Sequence, residues 1–131
     1  AGHVRVGPLD IQAHATPGHT PGSTSWTWRS CQGGKCVDIV YADSLTALTN
    51  GTYRYTDAPE HPHRVEDFRK SIATVAALPC GILITTHPDA SDVLERAARG
   101  KLEDPGACRV LAAHANERLD ALLAKEAAES P

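Results

Sequence analysis

The sequence predicts an α/β chain made of one mixed sheet with helices on a single face, and three observations carry that prediction. Runs of alternating apolar and polar residues crowd the stretch from Val4 to Ala42, the mark of half-buried strands. From Val65 onward the apolar residues recur three or four apart, the spacing of helices with one buried stripe. Between two such stretches, Gly81-Ile82-Leu83-Ile84-Thr85-Thr86 is a short apolar run that reads as a buried strand. A sheet with helices on one side only leaves its other face without cover, so the chain reads as an incomplete layer.

In order, Val4 to Val6 and Leu9 to Ala15 read as paired strands, the second alternating Leu9, Ile11 and Ala13 with Asp10, Gln12 and His14. Thr16-Pro17-Gly18-His19-Thr20-Pro21-Gly22 breaks the pattern. Its prolines remove amide donors and fix φ at about −65°, while its glycines allow turns closed to other residues. His19 is therefore held on a rigid, bent segment, which is either a plain turn carrying a histidine or a metal-ligand loop. Ser23 to Trp28 and Val37 to Ala42 continue the sheet, joined through Cys31-Gln32-Gly33-Gly34-Lys35-Cys36, whose Gly-Gly centre suits a hairpin. The strands stop at Asp43-Ser44-Leu45-Thr46, a solvated turn or part of a site. Leu45 to Asp57 reads as a loop with a turn at Asn50-Gly51 and with Tyr53 and Tyr55 as its bulk, a candidate wall or flap over a site. Asn50-Gly51-Thr52 also has the pattern of a glycosylation sequon.

A helix is expected from Pro59, with Val65, Phe68, Ile72 and Val75 on its buried stripe. His61 and His63 fall in its first turn, off the stripe, as exposed polar residues. The apolar run 81–86 ends in His87-Pro88, which puts a second histidine at the lip of the sheet. Ser91 or Asp92 can cap a short helix to Ala98 that Gly100 ends. The last helix is expected from Asp104 or Pro105. Its buried stripe is Leu111, Ala115, Leu119 and Leu122, with His114 beside it and Lys125, Glu126 and Glu129 outside. His3 and His14 carry no spacing signal.

With 131 residues and 41% hydrophobic content, the chain has room for one compact domain. Its net charge of −3 comes with no basic patch and no run of like charges, so neither nucleic acid nor a membrane surface is an expected partner. Four cysteines fall into two natural pairs, Cys31 with Cys36 across the hairpin and Cys80 with Cys108 between strand and last helix. Closing these loops would stabilise by about 2 and about 3.5 kcal/mol on chain entropy, and would place the protein in an oxidising compartment. Thiolate ligands or free thiols are the alternative, although the close C-x-x-C spacing of zinc sites is absent.

Three stretches together carry a family resemblance: 15–23 (ATPGHTPGS), 41–46 (YADSLT) and 85–91 (TTHPDAS). In order and spacing they resemble the C-terminal half of a class B metallo-β-lactamase of the third subclass, and the cysteine pairs resemble the disulfides of its AIM-type branch. The resemblance implies that the chain is a single half-domain, residues 1–131, of an αβ/βα four-layer sandwich. It also implies a periplasmic or secreted setting and a site with two zinc ions. His19 matches the third histidine of the first zinc site, and His87 matches the C-terminal histidine of the second. Ser44 and Thr46 fall where this subclass binds the substrate carboxylate. The other ligands belong to a His-x-His-x-Asp-His motif of the N-terminal half, which this sequence lacks, so one protein ligand per ion comes from this chain. In the assembled family enzyme the two ions lower the pKa of a shared water, polarise the lactam carbonyl and stabilise the departing nitrogen. The partners so implied are a β-lactam substrate and the N-terminal half of the fold.

Two other readings fit the residues. Lactonases and glyoxalase-type thioesterases of the same superfamily place a metal-bridging aspartate in a Gly-Asp-Thr-Leu run, over which Ala42-Asp43-Ser44-Leu45 can be laid. A metal-free, inactive fragment is the third reading, for which the missing motif is the evidence.

Overall fold

The computed structural model describes residues 2–49, 54–56 and 59–129. The expected turn at Asn50-Gly51, the sequon with it, Tyr53 and Asp57 lie outside the described residues. Among those described, five strands form one sheet in the order in which they occur in the chain: β1 (His3–Val6), β2 (Leu9–Ala15), β3 (Thr24–Gln32), β4 (Lys35–Ala42) and β5 (Ile82–Thr85). The first four make an antiparallel meander, and β5 adds parallel to β4. A parallel neighbour requires a crossover, which α1 (Arg64–Ala77) supplies. After β5 come a 3₁₀ turn (Pro88–Ala90), α2 (Val93–Ala98) and the long α3 (Ala107–Glu129).

Gly33 and Gly34 both have positive φ, 58° and 79°, which closes the β3–β4 hairpin with the twist its strands need. Cys31 faces Cys36 in that register, and the two are disulfide-bonded; a second bond joins Cys80, just before β5, to Cys108 in the first turn of α3. No described helix is long and apolar enough to cross a membrane.

Strand register divides the sheet into two faces. Val40, Ala42 and Leu83 are buried beneath α1 and α3, in a core with Phe68, Ile72, Val75, Ala112 and Leu119. One residue out of step, Trp26, Trp28, Ile39, Tyr41, Ile82 and Ile84 lie side by side across three strands on the other face, all half-buried. A sheet face that is apolar across three strands is made to be covered, and the described helices cover its opposite.

Four local expectations are corrected. Helix α1 starts at Arg64 and not at Pro59, because Pro62 pushes His61 out of the helical region and cannot donate, so residues 59–63 turn instead. Helix α3 starts at Ala107; Asp104 precedes it, its Oδ1 accepting from the Gly106 amide at 2.9 Å. Glu126, expected on the outside of the last helix, is 6% exposed. Its carboxyl oxygens accept from the Tyr55 and Thr56 amides at 3.0 and 3.2 Å and from the Thr56 hydroxyl at 3.0 Å. Tyr55 is thus drawn into the core against Phe68, ring centroids 5.7 Å apart, and is no flap over a site.

Candidate metal and substrate site at the strand ends

Topology gathers the three singled-out stretches at one edge of the sheet. The loop between β2 and β3 leaves where Ala15 faces Thr24, and antiparallel pairing sets the start of β3 beside the end of β4. Ala42 pairs with Thr85 at the parallel ends of β4 and β5, so Asp43 to Thr46 and Thr86 to His87 emerge together. Side chains knit this edge. Thr16 and Ser25 share a buried hydroxyl hydrogen bond at 2.9 Å, and the Asp43 amide donates to Ser25 Oγ at 3.1 Å.

His19 is half-buried and its ring is oriented. Nδ1 lies 2.8 Å from the Thr46 carbonyl, and since a carbonyl can only accept, Nδ1 carries the proton. In the neutral imidazole this tautomer leaves the lone pair on Nε2, the state a metal ligand needs. His87 differs. It is exposed at the end of β5, and no hydrogen bond to its ring is formed by the described residues, although its backbone carbonyl accepts from Thr85 Oγ1 at 2.6 Å.

Asp43 organises the turn between these histidines. Its Oδ1 accepts from the Ser44 amide at 2.8 Å and from Thr86 Oγ1 at 3.1 Å. Burial pushes its carboxyl up, but the bonds from the Ser44 amide, the Ser23 and Thr86 hydroxyls and the Thr24 amide outweigh this and hold it below the usual carboxylate range. Ser44 Oγ in turn accepts from the Thr46 amide at 3.3 Å, a bond that uses a lone pair and not the hydroxyl proton.

Two clefts open here. One, of about 600 Å³, is lined by Asp43, Ser44, Thr46, Thr86 and His87, with His114 and Arg118 of α3 on its far wall. The other, of about 440 Å³, holds His19 with Glu60, His61, His63 and Arg64. The two candidate ligands thus open into different clefts, and Thr46 joins them, lining the first while its carbonyl receives the His19 ring. Arg64, His114 and Arg118 were not singled out from the sequence as site residues. Arg64 had a signal in hindsight, since it lies four residues before the stripe residue Phe68.

The fit to zinc is partial. His19 presents one prepared nitrogen, but among the described residues no three of His, Cys, Asp or Glu converge, and all four cysteines are in disulfides. These residues do not form a zinc site on their own.

No family model matches the chain. Solved structures do. The chain is similar to MEM-A1, a subclass B3 metallo-β-lactamase isolated from a soil metagenome library, with 48% identity and a TM-score of 0.94 over 98% of this chain and 51% of that one. It is similar to the Rm3 metallo-β-lactamase, with 44% identity and a TM-score of 0.90 over 95% of this chain and 49% of that one. Against the metallo-β-lactamase MIM-1 from Novosphingobium pentaromativorans the identity is 38% and the TM-score 0.90, over 99% of this chain and 47% of that one. The chain spans about half the length of each.

Proposed function

We propose, from the premise that this chain is similar in sequence and fold to one half of a subclass B3 metallo-β-lactamase, that it supplies the C-terminal part of a zinc-dependent β-lactam-hydrolysing site. One observation carries the reading: the fold brings the His19 loop, the Ser44 to Thr46 turn and His87 to a single sheet edge. The bare apolar face with Trp26 and Trp28 is where the N-terminal half would pack, and that half would bring the remaining ligands. Each zinc ion would take one nitrogen from this chain, His19 for the first and His87 for the second. The two disulfides suit a periplasmic or secreted setting.

The division of labour follows from the hydrogen bonds. Ser44 and Thr46 bind the substrate carboxylate, and the Ser44 hydroxyl can donate to it because its oxygen is engaged here only as an acceptor, from the Thr46 amide. Ser44 is a poor candidate for a nucleophile: its nearest partners are a backbone amide and the turn of Asp43, with no base placed to take its proton.

Reconstitution tests this. The chain alone should bind zinc weakly and leave nitrocefin intact; with a segment carrying the missing motif it should take up two zinc ions and turn over substrate. In that complex Ser44→Ala should lose about tenfold to hundredfold in kcat/KM with zinc content unchanged, since one hydrogen bond to a charged group contributes about 1.5–3 kcal/mol. Tight stoichiometric zinc in the lone chain, or zinc lost in step with activity in Ser44→Ala, overturns the assignment.

A further inference from the structure

We propose that Arg64 is a positioning residue for His19, acting through the backbone of the loop that carries it; the metal side of this rests on His19 being a ligand. A loop that leaves a sheet has carbonyls with no ladder partner, and buried ones must find another. Here three successive carbonyls find theirs on α1. Pro17 accepts from Ser71 Oγ at 2.6 Å, Gly18 from Arg64 Nε at 3.1 Å and His19 from Arg64 Nη2 at 3.3 Å. Arg64, Phe68 and Ser71 stand at i, i+4 and i+7, one face of the helix. Between the two polar grips the Phe68 ring lies so close to Gly18 that a Cβ there would sit 2.9 Å from it.

The guanidinium is suited to this and is itself held. Its planar fork spans two consecutive carbonyls, which the single ammonium of a lysine cannot do in the same way. It lies 4.4 Å over the Tyr55 ring, and the Tyr55 hydroxyl donates to the Leu48 carbonyl and accepts from the Leu48 amide. Leu48 is two residues beyond Thr46, whose carbonyl receives the His19 ring. Arg64 thus grips the backbone of His19, and the ring it rests on steadies the segment that orients the imidazole. Both ends of one side chain are fixed from the same place, so the nitrogen left bare is Nε2 and its direction is set. Groups that orient a ligand in this way typically change metal affinity by about tenfold to hundredfold when removed.

The experiment reads the His19 tautomer by long-range proton–nitrogen NMR on the 131-residue chain, in the unaltered protein, Arg64→Ala and Arg64→Lys, with thermal unfolding alongside. The unaltered chain should show His19 protonated at Nδ1. Arg64→Ala should move it toward the mixture of a free histidine while His87 signals stay in place, and Arg64→Lys should fall between. In the reconstituted complex Arg64→Ala should weaken zinc about tenfold to hundredfold. A folded Arg64→Ala with an unchanged His19 tautomer overturns the proposal. Should that variant not fold, Arg64→Lys with the tautomer of the unaltered chain does the same. Zinc retained by His19→Ala in the complex would remove the ligand reading and leave the tautomer result standing, so the two failures are distinct.

Discussion

His19 and His87 reach the same sheet edge by opposite means. His19 sits on a loop whose carbonyls are gripped by α1 and whose ring is aimed by the Thr46 carbonyl. His87 sits exposed at the tip of a strand, positioned by its backbone alone among the described contacts. The difference teaches what this chain fixes by itself. One imidazole is oriented by residues of this chain, while the other is placed by its backbone and receives no ring partner from the described residues.

The largest effect belongs to Phe68. It is fully buried, stacks on Tyr55 and closes against Gly18. Phe68→Ala should destabilise the chain by about 3–5 kcal/mol through the cavity it leaves. Ring signals of His19 should broaden or shift with it, while those of His87 hold until global unfolding. Equal disturbance of both in a folded variant would mean that the two are not separately supported.

Glu126 comes next and acts from further away. Its carboxyl oxygens hold three donors of residues 55 and 56, and Tyr55 is the surface on which Arg64 rests. Glutamine keeps one acceptor oxygen and turns an amide donor toward backbone donors, so Glu126→Gln should cost about 1.5–3 kcal/mol in urea unfolding. The signature is direction: hydrogen exchange should rise at Tyr55 and in the His19 loop before it rises at the end of β5. A uniform rise would break the proposed path.

Much of this was legible in the sequence, and what was missed has a physical pattern. Period-two alternation located the strands, and the i, i+3/i+4 stripes located α1 and α3, because both report burial on one side. The incomplete layer was legible too, since the sequence offers helices for one face of a sheet whose other face carries Trp26, Trp28 and Tyr41. Glu126 was misread because an acidic residue near a helix end is normally solvated, and only the fold reveals the loop amides it meets 70 and 71 positions away. The same limit hid Arg64. Its place on the face of Phe68 is readable from spacing, but its partners are backbone carbonyls, which no side-chain pattern records. The start of α1 was misplaced because the helix was extended back from Val65, where its stripe begins, through Pro62, where local backbone sterics decide.

The smallest effect is set by pH and falls on the His87 side. Asp43 ties the turn after β4 to Thr86, the residue before His87, and its carboxyl is held below the usual range by hydrogen bonds that outweigh its burial. A carboxyl with a depressed folded pKa binds fewer protons in the native state than in the unfolded one. Its contribution to stability is therefore fully present above the unfolded value, about 3.9, and is lost as pH falls through the lower folded value. Asp43→Asn removes that dependence while keeping an oxygen for the Ser44 amide. The unaltered chain should lose urea midpoint as pH falls below about 4, more steeply than Asp43→Asn does. The Arg64 grip on the His19 loop ends on backbone carbonyls and does not pass through Asp43, so acid should loosen the end of β5 first and the His19 loop last. Two acid limbs that superimpose would remove Asp43 from this role; a His19 loop that opens before β5 would reverse the contrast between the two histidines.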